Sequence, residues 1–256
     1  MDQVRARTRA RGFDSPSQKF STSLWNQYRS GKVPVIPDLK SRSPQEGDLF
    51  QGRDPSKLAK ALAAAGAPAL SVVTEPRYFG GSPELLWRIA QATSLPILRK
   101  DFINNRTQLQ ESVDLGASAV LLIAAMLEKE QLFQLIEDAL MLSLEPLVET
   151  HNESEIMAIN NELNNNQLKL TIIGINNRNI VDLEMDDGSV SNTERLVSLV
   201  CPGALVVSES SISSSTDVQR ALAAGAHAVL VGTAILQAED PIEMYRCLSD
   251  IGIKRR

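Results

Sequence analysis

The sequence predicts one α/β domain, a (β/α)8 TIM barrel preceded by a short N-terminal helical extension. Three observations predict it. Eight short apolar runs recur along the chain, with starts 23 to 36 residues apart. They are continuous rather than alternating, as suits strands buried on both faces. Three of the intervening helical stretches also end in nearly the same words: Ala65-Gly66-Ala67-Pro68-Ala69, Leu115-Gly116-Ala117-Ser118-Ala119 and Ala224-Gly225-Ala226-His227-Ala228. Each is a glycine stop followed by a strand start, so one βα unit is reused. A doubly wound open sheet is the competing architecture. Eight parallel strands in an open sheet need longer excursions than these 256 residues provide, which favours the closed barrel.

In chain order, Met1 to Phe13 carries arginines at 5, 7, 9 and 11 but no apolar core. It reads as a mobile, solvated arm rather than a secretory signal. Residues 14–32 place Phe20, Leu24, Trp25 and Tyr28 at helical spacing, predicting a short helix packed on the main body. The boundaries are then 1–32 for the arm and helix and 33–256 for the barrel. The predicted strands are Val33–Leu39, Ala69–Thr74, Pro96–Leu98, Ala119–Ala124, Leu144–Val148, Ile172–Ile175, Leu205–Val207 and Ala228–Val231. Between them, helices are expected over Lys57–Ala65, Pro83–Ala92, Thr107–Leu115, Glu128–Leu142, Ser154–Asn164, Ser191–Leu199, Ser215–Ala224 and Pro241–Ile251. Asp54-Pro55-Ser56 and Ser82-Pro83 are start signals of the cap-then-proline kind.

Composition excludes several function classes. The net charge of −5 advertises no basic face, so no nucleic-acid partner is expected. No apolar run is long enough to span a bilayer, and no membrane association is expected. Two cysteines, Cys201 and Cys247, form no metal or disulfide framework, which fits a reducing cytoplasm. His151 and His227 lie far apart in sequence, so zinc and triad chemistry are not expected, and no metal or cofactor is called for. Acid–base work falls to Lys, Asp and Glu.

In a barrel of this kind the C-terminal strand ends form one rim, and that rim carries the chemistry. Seven of the eight runs end in charged, amide or hydroxyl residues: Asp38 and Lys40, Glu75, Lys100 and Asp101, Glu149, Asn176 with Arg178, Glu209 with Ser210 and Ser211, and Gly232-Thr233. Turns are polar anyway, but Lys40, Lys100, Glu149 and Arg178 are not turn formers. Converging on one mouth, they make a pocket of mixed charge. Ser210-Ser211 and Gly232-Thr233 follow the last two strands, where this fold commonly binds phosphate. The residues therefore point to a small phosphorylated substrate and lysine-plus-carboxylate acid–base chemistry. A Schiff-base role for Lys100 or Lys40 stays open, since a cation beside another cation in a dry site loses proton affinity.

The sequence also resembles the indole-3-glycerol-phosphate synthase family of tryptophan biosynthesis. The resemblance rests on Tyr78-Phe79-Gly80-Gly81-Ser82, Leu98-Arg99-Lys100-Asp101-Phe102, Val120-Leu121-Leu122-Ile123, Leu147-Val148-Glu149-Thr150-His151 and Gly174-Ile175-Asn176-Asn177-Arg178. These run in family order and cover about Val33 to Leu248. The resemblance implies a carboxy-lyase acting on a carboxyphenylamino-deoxyribulose phosphate, a small phosphorylated aromatic substrate. The ring carbon attacks a carbonyl, carbon dioxide leaves, and a hydroxyl is then lost. It implies Lys100 as the acid that protonates the carbonyl oxygen and Glu149 as the acid–base partner of the dehydration. It places Lys40 near the phosphate and the carboxylate, with Asp38 as the first strand's carboxylate. Asn176 and Arg178 would orient the substrate, Arg178 with Ser43 would hold the ring carboxylate, and Glu209 would contact the substrate. Phe79, Phe102, Leu121 and Ile180 would line the aromatic pocket, and Ser210, Ser211, Gly232 and Thr233 would take the phosphate.

Two departures stand out. The family writes Ala-Glu-x-Lys on its first strand, and here the words are Pro37-Asp38-Leu39-Lys40. Asp is shorter than Glu by about one 1.5 Å bond. Pro37 removes a ladder N–H, which predicts a bulge that moves Asp38 and restores its reach. The family's Glu-Ser-Gly-Ile becomes Glu209-Ser210-Ser211-Ile212, so a positive φ at 211 would strain serine. The N-terminal segment is also shorter than usual, implying a reduced lid. These departures keep open a weakened paralogue that binds a phosphorylated ligand or a partner. A different phosphosugar isomerase or lyase on the same fold is a third reading, disfavoured by the intact Lys100, Glu149, Asn176 and Arg178. Association with other tryptophan-pathway enzymes is not readable from the sequence.

Overall fold

A computed structural model describes residues 19–44, 46–166, 172–178 and 188–252. The arginine-bearing arm, the lid that its length was read to shorten, and Ile180 lie outside the described residues. Eight parallel strands close into a barrel: β1 (Val35–Leu39), β2 (Leu70–Val73), β3 (Ile97–Lys100), β4 (Ala119–Ile123), β5 (Glu145–Thr150), β6 (Ile172–Asn176), β7 (Leu205–Glu209) and β8 (Ala228–Val231). Each pairs with its sequence neighbours, and β8 closes on β1 through Val35↔Val229, Ile36↔Leu230 and Pro37↔Val231. Around it, in chain order, lie α1 (Phe20–Arg29), α2 (Pro55–Ala64), α3 (Pro83–Ala92), α4 (Arg106–Asp114), α5 (Lys129–Met141), α6 (Glu153–Asn166), α7 (Ser191–Leu196), α8 (Ser215–Ala224), α9 (Thr233–Gln237) and α10 (Pro241–Ser249).

Helices α2, α3, α4, α8 and α10 start where side chains satisfy their first N–H groups. Asp54 accepts from Ser56 N at 2.8 Å and Lys57 N at 3.1 Å. Ser82 caps α3, Asn105 caps α4, and Ser214 with Asp217 forms a full capping box on α8. The three repeated words fold alike. Gly66, Gly116 and Gly225 all have positive φ, and the next N–H returns to the carbonyl five residues back (Ala67 to Leu62, Ala117 to Ser112, Ala226 to Ala221). This turn sends each helix into a strand, with Ser118 N bonding Ile97 O and His227 N bonding Val206 O, both at 2.8 Å.

Strand alternation sorts the side chains into two layers. Ile36, Leu98, Leu147, Ile172 and Val207 fill the inside of the barrel. Val35, Val72, Val148, Ile173 and Val206 face the helices. Asp38, Lys100, Glu149, Asn176 and Glu209 share the inward parity of the first set and so emerge at the C-terminal mouth. The other end is closed by α1, whose Phe20 and Leu24 are fully buried in the inner layer. Each such side chain contributes on the order of 2 kcal/mol of apolar burial. Ser21 fixes the helix there: its N–H donates to Glu145 Oε2 at 3.0 Å and its hydroxyl to Glu145 Oε1. The expected short helix on the main body is therefore the plug of the barrel's lower end.

The structure corrects the expectation at Pro37. No bulge forms. β1 runs unbroken, with one-to-one register to β8 through Pro37 and to β2 from Asp38↔Ser71 onward. The proline sits where pairing with β2 begins, so its missing N–H removes a bond at the edge of that ladder and no extra residue is needed. Two further elements went unread: a pair of two-residue strands, Arg42–Ser43 with Gly47–Asp48, and the five-residue α9. Both are too short to leave an apolar period.

Candidate active site

Lys100 ends β3, Glu149 lies near the end of β5 and Glu209 ends β7. All point into the mouth, where Glu149 and Glu209 are each 1% exposed. Burial lowers the proton affinity of Lys100, but the charges of Glu149, Asp38 and Glu209 outweigh it, and its pKa rises above the ordinary lysine value. Lys100 is thus held as an ammonium, suited to donate a proton and unsuited to attack as a free amine. Lys40 goes the other way: burial lowers it, and Arg178 and Lys100 lower it further against the pull of Asp38.

Glu149 is the charged member of the two facing carboxyls. Burial raises its pKa, but the contact with His151, the Lys100 ammonium and an Asn176 Nδ2 bond of 3.1 Å bring it down to about 2. His151 Nε2 stands 3.2 Å from Glu149 Oε1, and its Nδ1 stands 3.5 Å from Glu155 Oε2. These are ion-pair distances without hydrogen-bond alignment. Burial lowers the imidazole's pKa, but the two carboxylates raise it to about 9. Glu155 is fixed in turn by His151 N at 2.7 Å and Asn152 Nδ2 at 2.6 Å. Asn192 Nδ2 ties the ends of β5 and β6 together through His151 O and Asn176 O.

Glu209 is the opposite case. Burial raises its pKa well above the ordinary carboxylate value, the Glu149 and Asp38 charges add to this, and Lys100 opposes them. Neither of its carboxyl oxygens receives a hydrogen bond among the described residues. The carboxyl occupies space left by Gly174, where a Cβ would stand 2.1 Å from Glu209 Oε1.

Asp38 takes its place in the mouth without a bulge, and its charge acts on Lys40, Lys100 and Glu209. Its Oδ1 accepts from Ser71 Oγ at 2.6 Å, within the barrel wall. Ser43 is buried in the hairpin that follows, and Arg178 stands half-buried near Lys40 and Lys100. Phe102 packs against the inner layer that contains Leu121, and Tyr78 meets Phe102 edge-on at 6.4 Å. The loop carrying Phe79 is held by Glu75, whose carboxylate accepts from the N–H groups of Arg77, Tyr78 and Phe79. Gly81 closes that loop where no Cβ fits, since one would lie 2.3 Å from Val73 O.

Ser210 and Ser211 both have positive φ, 65° and 55°. The strain foreseen for Ser211 is present, and Ser210 shares it. Asn177 clamps this turn. Its Nδ2 donates to Ser208 Oγ at 3.0 Å, Glu209 O at 2.9 Å and Ser210 O at 3.1 Å, and its Oδ1 accepts from Thr193 N and Oγ1, both at 3.0 Å. The Leu230↔Glu209 register sets the Gly232-Thr233 loop beside it.

Sequence reasoning gave no role to Glu155 and Ser71, and none to His151, Gly174 and Asn177 although they stand in the family words. His151 left a signal in standing two residues after Glu149 and so on the same face of the strand, and Asn177 in ending the sixth run. Among the described residues no group of three or more His, Cys, Asp or Glu side chains is arranged to hold a metal ion.

A family model described as indole-3-glycerol phosphate synthase matches residues 2–248. The indole-3-glycerol phosphate synthase of Thermococcus kodakarensis is 42% identical over 226 residues, covering 88% of this chain and 96% of the relative. That of Pyrococcus furiosus is 43% identical over 220 residues, 85% of this chain and 92% of the relative. The protein of the same name from Halalkalibacterium halodurans is 38% identical over 223 residues, 86% and 84%.

Proposed function

The chain belongs to the indole-3-glycerol phosphate synthase family, and on that premise we propose how its residues divide the reaction. The enzyme is a carboxy-lyase of tryptophan biosynthesis. It converts 1-(2-carboxyphenylamino)-1-deoxyribulose 5-phosphate into indole-3-glycerol phosphate, carbon dioxide and water. Lys100 donates a proton to the carbonyl oxygen as the ring carbon attacks. Glu149 serves the dehydration as base. The observation that carries this division is an ammonium and an ionised carboxylate set on the inward faces of β3 and β5, each shifting the other's proton affinity.

Asn176 orients Glu149 and the substrate. Arg178 and Ser43 hold the ring carboxylate, and Lys40 stands between that carboxylate and the phosphate. Asp38, bonded to Ser71, supplies negative charge to both lysines. Phe79, Phe102 and Leu121 enclose the aromatic ring, and Ile180 joins them on the family pattern alone. The Ser210-Ser211 and Gly232-Thr233 loops receive the phosphate. A cytoplasmic setting belongs to the same reading, supported by two unpaired cysteines, Cys201 and Cys247; among the described residues no helix is long and apolar enough to cross a membrane.

The test is a single-turnover assay with the substrate, following indole fluorescence. Lys100→Ala is expected to slow product formation by roughly 10²- to 10⁴-fold, the range of a general acid. Activity in Lys100→Ala within tenfold of wild type would sink the assignment. Asp38→Glu is expected to give no gain, because the longer side chain must leave its Ser71 bond.

A further inference from the structure

We propose that Glu209 is a catalytic acid of the dehydration, held as a neutral carboxylic acid against Glu149 and delivering its proton to the departing hydroxyl. This rests on the division of roles above and extends it to a residue so far assigned only to substrate contact.

The geometry separates the two carboxyls. Glu149 receives the Asn176 amide and lies 3.2 Å from the His151 imidazole. Glu209 is equally buried, yet no donor among the described residues reaches either of its oxygens. A buried carboxylate without a donor is strongly unfavourable. The charged groups facing it are Glu149 from β5, Asp38 from β1 and Lys100 from β3, and Gly174 of β6 leaves its space. Glu149 faces it as the largest charge acting on it, and adjacent like charges do not both ionise. One proton therefore serves the pair, and it resides on the member without donors.

The chemistry needs such a proton. After ring closure and loss of carbon dioxide, the intermediate carries a hydroxyl on the former carbonyl carbon and a methylene beside the ring nitrogen. Glu149 takes a proton from the methylene, and the electrons of that C–H bond form the new C=C bond. The C–O bond breaks with its electrons on oxygen, and the departing hydroxyl takes the Glu209 proton and leaves as water. Glu149 is then protonated and Glu209 ionised. Transfer across the pair restores both, so dehydration leaves the pair's proton count unchanged. Lys100 has already given its proton to the carbonyl oxygen, so a second acid spares its reprotonation before the hydroxyl departs.

The experiment is single turnover of wild type and Glu209→Gln, measuring carbon dioxide and indole product separately. Glu209→Gln is expected to release carbon dioxide within tenfold of the wild-type rate. Its indole formation falls roughly 100-fold or more, and the hydroxylated ring-closed intermediate accumulates. Indole formation at the wild-type rate would overturn the proposal, as would carbon dioxide and indole slowing together. A wild type that makes no product strikes instead at the underlying division of roles, and infrared spectroscopy then decides alone. Wild type should show a carboxylic-acid C=O band that shifts in D2O and vanishes in Glu209→Gln. Where that variant does not fold, Glu209→Asp replaces it: the band should move in frequency with the shortened side chain, and an unmoved band overturns the proposal.

Discussion

Replacing His151 by Gln removes the cation buried behind Glu149, and the size of the effect follows from the structure. The imidazole rises from 6.5 to about 9 because Glu149 and Glu155 outweigh its burial. At about 1.4 kcal/mol per tenfold change in proton affinity, this is worth roughly 3 kcal/mol. The side chain is 3% exposed, so solvent screens little of it. The depression of Glu149 to about 2 is largely the same interaction seen from its other end, and the two are counted once. The signs differ. A raised histidine contributes fully below 6.5 and loses its contribution as pH rises through 9. A depressed carboxylate contributes above 4.5 and loses it as pH falls through 2. The pair is therefore fully stabilising between about pH 4.5 and 6.5. For a chain of this size 1 kcal/mol moves Tm by about 2–4 °C. Wild type should exceed His151→Gln by about 6–12 °C near pH 6, with the two curves converging toward pH 9.5. Calorimetric melts every half pH unit measure it. Curves that run parallel from pH 6 to 9.5 would refute the reasoning, since they would place the imidazole outside the ion pair. In kinetics the same substitution should move the acid limb of kcat upward in pH, because Glu149 loses a counter-charge.

Three further outcomes follow from the same geometry. Ser211→Gly should raise Tm by about 1–4 °C: a left-handed non-glycine residue costs about 1–2 kcal/mol, of which glycine's extra unfolded freedom returns about 0.5–1. A lower Tm would show that the Ser211 side chain contributes more than its backbone costs. Asn177→Ala strips donors from Glu209 O and Ser210 O and an acceptor from Thr193. Urea melts should show about 3 kcal/mol lost with an unchanged m-value, and KM should rise as the phosphate turn loosens; an unchanged KM would detach that turn from substrate binding. Gly174→Ala brings a methyl to 2.1 Å from Glu209 Oε1, displacing the carboxyl by about 1 Å. Its kcat should fall by on the order of 100-fold, and a wild-type kcat would mean that Glu209 has no fixed place in the reaction.

The architecture was legible because its signals are local. A buried strand needs a continuous apolar run, and a helix needs its cap and its glycine stop, each within a few neighbouring residues. The strand ends carried this into the site: Asp38, Lys100, Glu149, Asn176 and Glu209 were read at the mouth from where their runs end, and in the structure they share the inward parity of the apolar residues before them. The failures arose where the outcome depends on what lies across the sheet. Pro37 looked like a bulge from its own strand, but the position of β2 decides whether a missing N–H matters. His151 looked isolated from the other histidine and was set aside, although its partners are acids on the same strand and the next helix.

By itself the sequence determined which residues reach the barrel mouth, because parity and period follow from the chain's own stereochemistry. Only the tertiary structure decided their protonation. Whether Glu149 or Glu209 is charged depends on donors from β5 and β6 and on space left by Gly174, positions brought together by closure of β8 on β1. Charges interact through distance and burial, and neither is a property of position along the chain.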